Sequence, residues 1–269
     1  MGMKKVIGLS AVALAVASMF SVAPAQANTK SLVVIDSYFD SRIGNTPIVC
    51  VPGNSCTIDT RTRNTSLSHP LNHGVAMVDA VKSKFPQVNV IALRAADATT
   101  EMNVGQLVSA LEWAVQNKNS ISALSLSRKM NGNLHNRTGC DAASINTAHL
   151  GGKALADQRV RSLIAELKAN NIPVFVSTGN GAGNIVDYPA CITDTNSVST
   201  GSPNRQGLPT SVDKFNDTTD YFVSIANNRF SITGTLFPVL PNTTSLATVL
   251  AAAKYTAESN LTKFISVLP

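Results

Sequence analysis

Short runs of aliphatic and β-branched residues alternate along this chain with longer segments whose apolar residues recur at helical spacing. The runs "SLVVID" (31–36), "VNVIAL" (88–93), "ISALSL" (121–126) and "IPVFVS" (172–177) show little polar alternation. A strand that is apolar on both faces has to be covered on both, as in a parallel sheet lying between two helical layers. The segments 73–84, 104–118, 154–171 and 244–259 carry the helical spacing. Strand and helix in turn predict an α/β fold, a three-layer, doubly wound and mostly parallel sheet. Residues 37–70 and 182–220 read as irregular, being rich in Asn, Thr, Ser, Gly and Pro. "YFVSIA" and "RFSITGT" read as further strands that could pair as a hairpin. No repeat, linker or low-complexity tract divides the chain.

The N-terminus sets the compartment. Lys4 and Lys5 precede an apolar run that ends at Ala25-Gln26-Ala27, the three-part pattern of a secretory signal. The expected organisation is a signal over 1–27 and one domain over 28–269, released to the periplasm or the medium. An uncleaved anchor is the alternative, but the run is short for a span. Removing the signal lowers the formal net charge from +6 to +4. The remaining basic residues are scattered. Arg61 and Arg63 have no aromatic residues interleaved with them, so no nucleic-acid surface is expected, nor any membrane contact after cleavage.

Cys50, Cys56, Cys140 and Cys191 make an even count in an exported chain, which suggests two disulfides. Three connectivities exist. Cys50 and Cys56 bracket the turn-rich "VPGNS", which favours Cys50–Cys56 with a long-range Cys140–Cys191. A metal site is the alternative, but no C-x-x-C is present. His69 and His73 are four apart with Pro70 between them, a poor helical metal pair.

In open α/β sheets, sites form at the carboxyl ends of strands. Asp36 ends the first strand. His73 opens the next helix, followed by Gly74, which permits close approach. Asn180 lies in the turn "TGNGAG", and Ser245 opens the last major helix. Each has a structural reading: a cap for Asp36, an edge histidine, a turn asparagine, an N-cap serine. Together they supply an acid, a base, a nucleophile and an amide on four segments, with the first three in the chain order Asp, His, Ser.

The surrounding motifs resemble those of the subtilisin-like serine protease family. "VVIDSYFD" is similar to the aspartate strand V-x-V-I-D-[ST]-G, and "HGVAMVDAV" to the H-G-T-H-V-A-G helix. "NIPVFVSTGN" is similar to G-I-P-V-V-A-A-A-G-N, and "TTSLATVLAAA" to G-T-S-M-A-[TS]-P-x-V-A-G. The matches extend over about 31–258. Tyr38, Ser127 and Thr243 stand where the family has glycine, Ala76 where it has a second histidine, and Val249 where it has proline.

The resemblance implies a subtilisin-like fold and a serine endopeptidase acting on polypeptides. Ser245 would be the nucleophile, His73 the general base and Asp36 its orienting acid. Asn180 would form the oxyanion hole. Leu126, Ser127, Thr178 and Gly179 would line the substrate site, with the backbone at 125–127 pairing with an extended peptide. A catalytically weak relative that binds peptides through the same groove is the competing reading. No cofactor is called for. Calcium is often structural in the family, but no compact acidic loop marks a site. A monomer is expected. No prodomain is expected, because the first strand starts almost directly after the signal cleavage site.

Overall fold

A computed structural model describes residues 30–36, 38–51, 73–95, 102–127, 153–180, 186–201, 219–224, 231–232, 235–236 and 244–266. The strands are β1 (Ser31–Asp36), β2 (Ile48–Cys50), β3 (Val90–Arg94), β4 (Ile121–Leu126), β5 (Val174–Ser177), β6 (Asn196–Gly201), β7 (Tyr221–Ser224), β8 (Ser231–Ile232), β9 (Thr235–Leu236) and β10 (Phe264–Ser266). The helices are α1 (His73–Lys84), α2 (Val104–Gln116), α3 (Lys153–Ala169) and α4 (Thr244–Glu258). Eight strands form one sheet in the order β10-β7-β6-β5-β4-β1-β3-β2, and every pairing in it is parallel. The expected doubly wound α/β architecture is therefore present.

The apolar strands divide their side chains between two cores. Val33 and Ile35 of β1, Leu124 and Leu126 of β4, and Val174 and Val176 of β5 join α2 and α3 in one core. Leu32 and Val34, Ala123 and Phe175 meet α1 and α4 in the other. α4 is the most enclosed helix: Thr244 to Ala253 are all buried, and it packs on α1 and on β1, β4, β5, β6 and β7. Its small side chains permit this depth. α2 starts at a capping box in which Asn103 Oδ1 accepts from Gln106 N and Gln106 Oε1 accepts from Asn103 N, both at 2.9 Å.

Three strands depart from the expectations. β6 falls in a stretch that reads as loop, because its residues are mainly Ser, Thr, Asn and Gly. Ser197, Val198 and Ser199 are nevertheless buried, and Ser197 is satisfied by Asp220, whose carboxylate accepts from its N–H at 2.8 Å and its hydroxyl at 2.9 Å. β2 lies inside the first irregular stretch and forms a sheet edge. β10 lies beyond the last expected helix. The hairpin is β8–β9 alone, whereas Tyr221–Ser224 belongs to the parallel sheet.

The signal over 1–27, Cys56, His69, Cys140 and Thr243 lie outside the described residues. Cys50 and Cys191 are both disulfide-bonded; the pairings with Cys56 and Cys140 fall outside that description. Among the described residues no helix is long and apolar enough to cross a membrane.

Candidate active site

The chain order reverses about β1, which has β3 on one side and β4 on the other. The carboxyl ends of β1, β3, β4 and β5 meet the N-termini of α1 and α4 there, and helix N-termini add positive potential. Asp36 closes β1 and is fully buried. His73 opens α1 and is partly exposed, with Nδ1 2.6 Å from Asp36 Oδ2. If the carboxylate is ionised and the ring neutral, this bond puts the proton on Nδ1 and leaves Nε2 as an acceptor.

Gly74 explains how α1 comes so near. A Cβ there would stand 2.5 Å from the Tyr38 carbonyl oxygen, 2.8 Å from Phe39 Cε1 and 3.1 Å from Asp36 Cβ. Only hydrogen fits, and the absence of a side chain sets His73 against the end of β1.

Ser245 lies in the first turn of α4 and is nearly buried. Its hydroxyl donates to the Ser127 carbonyl at 3.1 Å, while the Ser127 hydroxyl donates to the Ser245 carbonyl at 3.2 Å. This reciprocal pair ties the end of β4 to the start of α4. No hydrogen bond joins Ser245 to His73 among the described residues. The Asp36–His73 pair is thus assembled, and Ser245 sits at the same end of the sheet with its proton directed at Ser127.

Asn180 follows β5 and is exposed. Its Oδ1 accepts from Thr244 N at 3.1 Å and Thr244 Oγ1 at 3.0 Å. A backbone N–H can only donate, so the amide oxygen must face α4 and the NH₂ group faces away, available as a donor. The sequence marks Thr244 only by its adjacency to Ser245; its bond to Asn180 spans 64 positions. Gly179 has φ +104°, in the left-handed region that favours glycine, and turns the chain between Thr178 and Asn180.

Of the other residues implied for the substrate site, Leu126 packs into the core under α2 and α3, so what it offers is backbone. The Thr178 hydroxyl is buried and donates to the Val198 carbonyl at 3.2 Å. Among the described residues no cluster of three or more His, Cys, Asp or Glu could hold a metal ion.

Solved structures share this architecture. The maturation protease PagA is 16% identical, with a TM-score of 0.56, covering 86% of this chain and 77% of that one. A mutant of the PatA protease domain is 12% identical, with a TM-score of 0.60, covering 85% and 78%. A cold-adapted subtilisin-like serine proteinase is 16% identical, with a TM-score of 0.55, covering 86% and 76%. The fold is subtilisin-like. At these identities the likeness establishes the fold alone. No family model matches the sequence, and no curated protein matches it. Within the subtilisin-like fold, Asp36, His73, Asn180 and Ser245 all stand at the carboxyl end of the sheet.

Proposed function

We propose that the chain is an exported serine endopeptidase in which Asp36, His73 and Ser245 act as a triad and Asn180 as an oxyanion donor. The 2.6 Å bond between Asp36 and His73, at the strand ends where α4 delivers a buried serine, is the observation that carries this reading. His73 Nε2 would take the Ser245 proton as the hydroxyl attacks the scissile carbonyl, then return it to the leaving amine. Asp36 would hold the tautomer and stabilise the imidazolium. The Asn180 NH₂ group, turned outward by Thr244, would donate to the developing oxyanion together with the Ser245 N–H. The substrate is a polypeptide, the active form a monomer, and the disulfides Cys50–Cys56 and Cys140–Cys191.

The Ser245 hydroxyl must first leave the Ser127 carbonyl for His73. That resting bond favours a second reading, a weak or inactive relative that binds extended peptides in the same groove.

A fluorophosphonate probe separates the two. Covalent labelling that disappears in Ser245→Ala, and nearly disappears in His73→Ala, supports the peptidase, because triad members act as a unit. Asn180→Ala should lower turnover by about 100- to 1000-fold, a size taken from subtilisin. Well-folded wild type that binds peptide but takes no label would establish the binding protein instead.

A further inference from the structure

Arg94 ends β3 in register with Asp36 of β1. Paired residues on neighbouring parallel strands project from the same face, so the Arg94 side chain leaves the sheet on the side of Asp36, under α1. Arg94 is only 6% exposed. Its Nε is buried without a hydrogen-bond partner. Among the described residues, the partner seen for its charge is the ring of Tyr38, with Cζ 5.6 Å from the centroid.

This arrangement is costly. A guanidinium does not lose its proton in a protein, so burial cannot neutralise it. A buried charge with no direct ion pair is strongly unfavourable even with the Asp36 carboxylate, which is bonded to His73, on the same face, and the Tyr38 ring offsets only part of that. Methionine would fill similar space without the penalty. The planar fork of donors matches a carboxylate in two-point geometry. It stands one strand from Asp36 and two from β4, at the same carboxyl end of the sheet as the candidate site.

We infer that Arg94 binds a carboxylate of the peptide held in the candidate site, so that the protein selects acidic ligands. The carboxylate comes from an acidic side chain or from a chain end. The inference rests on the peptide-site reading of the previous subsection.

The probe is an end-blocked peptide mixture with Glu and Gln equally frequent at every position, beside the same mixture with free C-termini. Binding is read on immobilised Ser245→Ala protein as the Glu/Gln ratio of the retained fraction. Cleavage is read on the wild type by mass spectrometry of the cut positions. Glu should be enriched about tenfold or more at one position. Arg94→Met should abolish the enrichment, and Arg94→Lys should keep part of it. Retention that instead follows the free C-terminus, and is equally lost in Arg94→Met, identifies the chain end as the source. Arg94→Met should also melt no lower than the wild type. Equal retention of all forms, a preference that survives Arg94→Met, or a Tm several degrees lower in that variant would each overturn the inference. Charge-dependent retention without any cleavage would leave Arg94 standing and remove the peptidase. Cleavage without a charge preference would do the reverse.

Discussion

At the scale of single residues, the site depends on what is missing at position 74. Alanine there would gain about 1 kcal/mol of helix propensity. It would also drive a methyl group into the Tyr38 carbonyl at 2.5 Å, and overpacking of this kind costs about 1–3 kcal/mol. The clash involves backbone and should win. Gly74→Ala is expected to lower the urea midpoint and to slow fluorophosphonate labelling as His73 is pushed from Asp36; unchanged labelling would show that the close approach has no part in the chemistry. Asp36, His73, Asn180 and Ser245 were legible because each is a polar residue at the end of an apolar run or in a glycine turn. Thr244 and Arg94 were not. The role of Thr244 exists only through Asn180, which is 64 positions away in sequence. Arg94 looks like the solvated end of a strand until the register sets it beside Asp36.

At the scale of elements, α1 carries an acid unrelated to the proposed chemistry. Asp79 is partly buried, its Oδ2 has no hydrogen-bond partner, and burial raises its pKa to about 6 despite the opposing charge of Lys82. The folded state therefore holds this proton more tightly than the unfolded chain, and stability falls as pH rises from about 4 to about 6. Asp79→Asn should be more stable than the wild type at pH 7.5 by about 1 kcal/mol, a figure discounted because the residue is only partly buried. The gain should vanish at pH 4. Urea unfolding at the two pH values measures it, and a pH-independent difference would refute the burial argument. The long elements were readable from their periodicity, within a few residues at their ends. β6 was not, because Ser197 and Ser199 spell a loop, and the burial of Ser197 is offset by its hydrogen bonds to Asp220, just ahead of β7. β2 and β10 are three residues each and sit at sheet edges, where neighbours rather than composition define a strand.

At the scale of the whole molecule, the sheet separates two cores. Leu111 lies in the core under α2 and α3, and Leu250 in the one under α1 and α4; both are fully buried. Leu111→Ala and Leu250→Ala should each cost about 2–5 kcal/mol, and the two costs should nearly add, since the sheet stands between them. Labelling well below the melting temperature should slow only in Leu250→Ala, because α4 carries Ser245; equal slowing in both would mean that the two layers are mechanically coupled. The enclosure of α4 also bears on truncation. In chain order Asp36 and His73 come early, whereas Ser245 comes on a later helix that packs against β1, β4, β5, β6 and β7. A chain that ends before α4 would hold the proposed acid and base without the proposed nucleophile. Under the triad reading, whatever hydrolytic capacity the protein has waits on α4, and fragments cut short before that helix would lack the nucleophile.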